Sequence, residues 1–149
     1  MPKDTSILVV RLSAIGDLVL VAPITAQLAR EGYSVTVLSK DAYRSVATCL
    51  PGVKAVLSWE KDRARIKAEV FTFDEVLDLQ GTSKSKHWCR QLKRSIQTYE
   101  KPYLRRALLL LTKQKSFALT PVVQRYAAAA APFFTGGFSP KAEEYKLCL

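Results

Sequence analysis

SILVVRLSAIGDLVLVAPITAQLA, residues 6–29, sets a continuous apolar strand directly against a short polar turn and then a second apolar run with an acid at its start. Ile7, Leu8, Val9 and Val10 form the uninterrupted β-rich run of a parallel strand covered on both faces. Arg11 to Gly16 breaks that run, and the spacing that follows predicts a helix over Leu18–Ala29 closing near Glu31-Gly32. Ser13 suits an N-cap, Gly16 permits close approach of backbone or ligand, and Asp17 sits where a helix's unpaired amides and dipole favour an anion. Open α/β sheets place their chemistry at such a strand-to-helix turn.

Outward from this segment, strands and helices alternate. Ser34–Leu38 reads as a strand, Asp41–Cys49 as a short helix, and Val53–Leu57 as a strand after the Pro51-Gly52 turn. Lys61–Phe71 reads as a basic helix, Glu75–Leu79 as a fourth strand, Ser85–Leu92 as a helix and Ser95–Thr98 as a fifth strand. Tyr103–Thr112 and Pro121–Ala131 read as further helices, the second with proline at a first helical position. The alternation predicts an α/β fold with a doubly wound, Rossmann-like parallel sheet and right-handed crossovers. A chain of 149 residues with 48% apolar composition buries one sizeable core, so a single domain over 1–135 is expected. Residues 136–149, with Gly136, Gly137 and Pro140, read as an exposed tail or the start of an interdomain linker.

The net charge of +10 is unevenly placed. Residues 1–80 carry ten basic and ten acidic side chains, whereas residues 81–125 carry eleven basic and one acidic. Such a block attracts anionic partners through its summed field or is a solvated basic surface. Three cysteines without C-x-x-C spacing and a single histidine, His87, support neither a disulfide framework nor a zinc site, and a reducing cytoplasm fits. The apolar run after Asp17 is too short for a membrane span and too interrupted for a signal peptide. The one glycine in R-L-S-A-I-G-D argues against a dehydrogenase, which needs G-x-G-x-x-G.

Arg11, Leu12, Ser13, Gly16, Asp17 and Pro23 match the R-L-S-x-x-G-D opening, followed by a proline-containing helix, of the ADP-heptose:lipopolysaccharide heptosyltransferases, glycosyltransferase family 9. Asp78-Leu79-Gln80-Gly81-Thr82-Ser83-Lys84-Ser85 resembles the family's D-x-Q-G-x-x-K-S after its fourth strand. Val122-Val123-Gln124-Arg125-Tyr126 is similar to a later helix that in the family usually begins with histidine; Thr120 and Pro121 stand there instead. The resemblance implies the acceptor-binding N-terminal half of a two-domain GT-B enzyme. It further implies inverting, metal-independent transfer from ADP-heptose to a lipopolysaccharide inner-core acceptor, with no cofactor. The sugar nucleotide would be bound only with a second domain, so this chain alone is expected to be inactive.

Asp17 is the expected catalytic base, because an acceptor hydroxyl must lose its proton as it attacks; its alternative is a charge at a helix N-terminus. Backbone amides of Ser13, Ala14, Ile15 and Gly16 are candidates for holding an anionic substrate group, or simply form a tight turn. Gln80, Gly81 and Lys84 follow the fourth strand and are expected at the same sheet edge as Asp17, and the resemblance adds Arg125. Lys84 suits a phosphate or carboxylate of the acceptor; a solvated surface is its alternative. No D-x-D pair or His/Cys cluster suggests a metal site. The competing reading is a non-catalytic anion-binding module for acidic lipid or RNA. No nucleic-acid motif supports RNA, while peripheral contact with an anionic membrane at the inner face of a bacterial inner membrane is compatible with the basic block.

Overall fold

The computed structural model describes residues 5–13, 15–68, 72–92, 94–98 and 122–141. Among them, strands β1 (Ser6–Val10), β2 (Ser34–Ser39), β3 (Val53–Ser58), β4 (Glu75–Asp78) and β5 (Ser95–Thr98) form one parallel sheet in the order β3-β2-β1-β4-β5. The helices are α1 (Ile15–Val19), α2 (Ala22–Arg30), α3 (Arg44–Thr48), α4 (Trp59–Lys67), α5 (Ser83–Arg90) and α6 (Val122–Ala130), with 3-10 turns at Asp41–Tyr43 and Ala131–Phe133. The helix expected at Tyr103–Thr112 lies outside the described residues.

β1 is central, and its apolar run is divided strictly by the two-residue period of a strand. Ile7 and Val9 pack on one face with Leu18, Ile24, Leu28 and Tyr126; Leu8 and Val10 pack on the other with Trp59, Val76, Trp88 and Cys89. α1, α2, α3 and α6 therefore cover the first face, and α4 and α5 the second. Trp59 and Trp88 meet edge to face at 5.3 Å, which joins α4 to α5 beneath the sheet.

The chain winds outward from β1 through β2 to β3, then crosses the opposite face in α4 and adds β4 on the other side of β1. The order of travel reverses between β1 and β4, so their C-terminal ends diverge into turns on opposite faces and leave a crevice. Val10 is level with Asp78 on one side and Leu38 on the other. Arg11 and Leu79 are therefore the first residues beyond the sheet at the reversal.

The single helix expected over Leu18–Ala29 is instead two. α1 ends at Val19 and α2 starts at Ala22, with Pro23 in its first turn. Pro23 has no N–H to give the carbonyl four residues back, and its ring would crowd that carbonyl, so one continuous helix is disfavoured and a helix start tolerates it. Two other starts come earlier than the apolar pattern suggests, because caps define them. Ser58 accepts the Lys61 N–H at 3.3 Å and opens α4, and Thr82 and Ser85 exchange side-chain-to-backbone hydrogen bonds that open α5.

Past α6 the chain returns to α2. The buried Gln27 amide donates to the Gly137 carbonyl at 2.7 Å and accepts the Ser139 N–H at 2.8 Å, while Phe138 packs against the core. Residues 136–139 of the expected tail are thus tied to the domain.

Gly52, in the turn before β3, has φ +80°, and a Cβ there would stand 2.6 Å from the Ala29 Cβ and 2.8 Å from the Thr25 carbonyl oxygen. Both the backbone and the close packing on α2 demand glycine. Gly52→Ala is expected to cost roughly 2–3 kcal/mol from strain and overpacking together. Urea unfolding measures this, and an unchanged midpoint would contradict it.

Candidate functional site

Two turns, at the ends of β1 and β4, are stitched together by side chains that each bond backbone 68 residues away in sequence. Arg11 follows β1 and is only 4% exposed. Its Nη1 donates to the Leu79 carbonyl at 2.9 Å, its Nη2 pairs with Asp17 Oδ2 at 2.7 Å, and its guanidinium carbon lies 5.8 Å from the centre of the Tyr126 ring. From the opposite turn, Gln80 Oε1 accepts the Leu12 N–H at 3.0 Å and the Ser13 N–H at 3.4 Å.

Asp78 organises the second turn. It is fully buried, and its Oδ1 accepts the N–H groups of Gln80 and Gly81 at 3.0 and 3.1 Å while its Oδ2 accepts the Ser85 hydroxyl at 3.0 Å. Burial raises the Asp78 carboxyl above its ordinary value, with those three hydrogen bonds opposing the rise. Gly81 sits at φ +63°, a conformation that glycine adopts without steric cost. The D-x-Q-G run is thereby explained locally: aspartate folds the turn, glutamine reaches the β1 turn, and glycine allows the backbone to close.

Asp17 stands in the first turn of α1 with its side chain 43% exposed. Arg11 holds Oδ2, and among the described residues no hydrogen bond is made to Oδ1. Beside it, Ile15 is 53% exposed, and a Cβ built on Gly16 would meet nothing within 4 Å. Gly16 is helical, so neither its backbone angles nor its packing among the described residues requires glycine. Of the four amides expected to face an anion, that of Ser13 is directed to Gln80, Ala14 lies outside the described residues, and those of Ile15 and Gly16 begin α1.

Lys84 lies at the same edge of the sheet as Asp17 but on α5, on the opposite face, with its Nζ 5.4 Å from the centre of the Trp59 ring; Arg63 covers the same ring at 5.0 Å. Arg125 is half-buried on α6, and its neighbour Tyr126 is the residue that reaches Arg11. Lys86 and Arg90, with Ile96 and Thr98, line a cavity of about 230 Å³ between α5 and β5. Residues 93 and 99–121 of the basic block lie outside the described residues. Among the described residues no three His, Cys, Asp or Glu side chains gather as metal ligands, and no helix is long and apolar enough to cross a membrane. Arg11, Asp78 and Tyr126 stood within the matched stretches of sequence but were given no role at the site there. A lone arginine directly after a fully buried strand was the available signal for the first of them.

No family model and no curated protein matches the sequence. The fold does match solved structures. A family 9 glycosyl transferase from Veillonella parvula superposes with a TM-score of 0.66 at 13% identity, over 94% of this chain and 44% of that one. The E. coli heptosyltransferase WaaC with ADP gives 0.58 at 20% identity, over 93% and 49%. E. coli ADP-heptose lps heptosyltransferase II gives 0.60 at 18%, over 91% and 45%. The chain thus has the Rossmann-like fold of one half of a GT-B glycosyltransferase, as the two motifs implied, and spans about half the length of the structures it matches.

Proposed function

We propose that this chain is the acceptor-binding half of an inverting glycosyltransferase that transfers heptose from ADP-heptose to a lipopolysaccharide inner-core acceptor, with Asp17 as its general base. The observation that carries the reading is the Asp17 carboxylate at the sheet reversal: one oxygen is fixed by Arg11, and the other has no protein partner among the described residues. Asp17 Oδ1 takes the proton of the acceptor hydroxyl as that oxygen bonds to the anomeric carbon. The bond to the nucleotide diphosphate breaks, its electrons leave with the diphosphate, and configuration inverts. Donor contacts belong to a second, donor-binding half, so the chain alone transfers no sugar. Work at the cytoplasmic face of the inner membrane suits such an acceptor.

The test is transfer from ADP-heptose to a heptose-deficient lipopolysaccharide, by the chain alone and by the chain joined to a donor-binding half from a matched structure. Transfer by the joined protein only is expected; equal transfer by the chain alone refutes the half-enzyme reading, and none by either refutes the function. Gly16→Ala adds a second expectation. Alanine favours a helix by up to about 1 kcal/mol over glycine, so stability holds or rises. Its methyl group projects into the open space beside Asp17, and acceptor affinity should fall roughly tenfold, a loss of about 1.4 kcal/mol. Unchanged affinity by calorimetry would remove Gly16 from the site.

The cavity lined by Lys86 and Arg90 favours a second reading, an anion-binding module for acidic lipid. Such binding weakens steeply with salt, whereas specific saccharide recognition persists.

A further inference from the structure

We infer that Arg11 is the positioning residue of the site: it fixes the rotamer of Asp17 and couples it to the end of β4, so that a single carboxylate oxygen is offered to the acceptor. This rests on the proposed role of Asp17 as base.

A guanidinium that is 4% exposed is tolerated only where its charge is met, and Arg11 is met at both Nη nitrogens and at the Tyr126 ring by three different segments, while its buried Nε makes no hydrogen bond among the described residues. The turn after β4 supplies the Leu79 carbonyl, α1 the Asp17 carboxylate and α6 the ring of Tyr126. The guanidinium is a rigid planar fork, so anchoring Nη1 on a backbone carbonyl fixes where Nη2 lies. Nη2 then holds Asp17 Oδ2 at 2.7 Å, which removes one of the two oxygens and most of the rotational freedom of a half-exposed side chain. Any displacement of the β4 turn, itself fixed by the buried Asp78, passes through Leu79 and Arg11 to the base. A lysine would keep the charge but has a single nitrogen, which cannot span both anchors with fixed geometry.

Two measurements test this. In the joined two-domain protein, Arg11→Lys and Arg11→Met should lower kcat about 30- to 100-fold, the scale of a misplacement near 1 Å, with the acceptor KM within threefold. Ethylguanidinium added to Arg11→Ala should recover part of the lost turnover. Turnover within threefold of the parent in both variants, or a rise confined to KM, overturns the inference. Asp17→Asn run in parallel separates the two claims: full turnover there defeats the reading of Asp17 as base, while its loss beside unimpaired Arg11 variants defeats the inference alone.

The second measurement needs neither activity nor a stable Arg11 variant. In nitrogen-15 spectra of this chain, a clamped guanidinium gives separate, slowly exchanging Arg11 Nη signals, and Asp17→Ala, which removes the acceptor oxygen, should merge them. Averaged Nη signals in the parent protein would show that the fork is not held and would overturn the proposal.

Discussion

Asp17→Asn in the joined two-domain enzyme is expected to lower kcat by roughly 100- to 10,000-fold, the span of general-base catalysis, while acceptor affinity is largely retained. Asparagine keeps the shape of the side chain and an oxygen for Arg11, but its amide cannot take the hydroxyl proton. The substitution also has a structural cost, because Arg11 is buried and Asp17 is its carboxylate partner. Removing the partner of a fully buried pair costs about 3–5 kcal/mol, and the half-exposure of Asp17 reduces this to roughly 1–2 kcal/mol. Melting curves should therefore accompany the kinetics, with assays run well below the variant's transition. A folded Asp17→Asn enzyme with unchanged turnover would leave Asp17 as the counter-charge of Arg11 and nothing more.

Asp78→Ala should have the largest effect on stability, about 3 kcal/mol, or a fall of roughly 10 °C in melting temperature. The loss strands two buried backbone N–H groups, leaves the Ser85 hydroxyl only the Thr82 carbonyl as acceptor, and releases the turn from which Gln80 reaches Leu12 and Ser13. Asp78→Asn is the informative companion. Its oxygen accepts both amides and its NH₂ donates to Ser85 Oγ, so it should lose less than about 1 kcal/mol near neutral pH. Because burial raises the Asp78 carboxyl, the folded state holds that proton more tightly than the unfolded chain. Ionisation of Asp78 therefore removes stability as pH rises from the ordinary carboxylate value through the raised one, and above that window the cost stays. Asp78→Asn should lack this component, so its stability relative to the parent improves across the window. Parallel pH profiles for the two proteins would argue against a desolvated carboxyl, and a fully stable Asp78→Ala would argue against the network.

Much of the architecture was legible in the chain itself. The run Ile7–Val10 reads as a strand buried on both faces and is one, and Ser95–Thr98 begins and ends where the pattern places it. These elements depend on backbone preferences and side-chain periods within a few residues, which is the range a sequence displays directly. The two motifs, R-L-S-x-x-G-D and D-x-Q-G-x-x-K-S, were visible for the same reason, each being a contiguous turn. Boundaries set by single atoms were less legible: the break before Pro23 and the early starts of α4 and α5 depend on one missing N–H and on individual capping hydroxyls.

What the tertiary structure alone decided is how the motifs meet. Sequence separates Arg11 from Leu79 by 68 residues, and only the strand order brings their ends together at the reversal of the sheet. That order then gives residues roles that their types do not announce. Gln80 turns inward to the β1 amides, Arg11 becomes a buried clamp on Asp17, and Gly16 is free of any demand from its own backbone or from the described residues. Lys84, expected at the same sheet edge as Asp17, lies at that edge with its ammonium over Trp59 on the other face. The physical reason is the range of the forces involved. Secondary structure is specified locally, whereas burial, desolvation and the pairing of a charge depend on which distant side chains arrive at the same place.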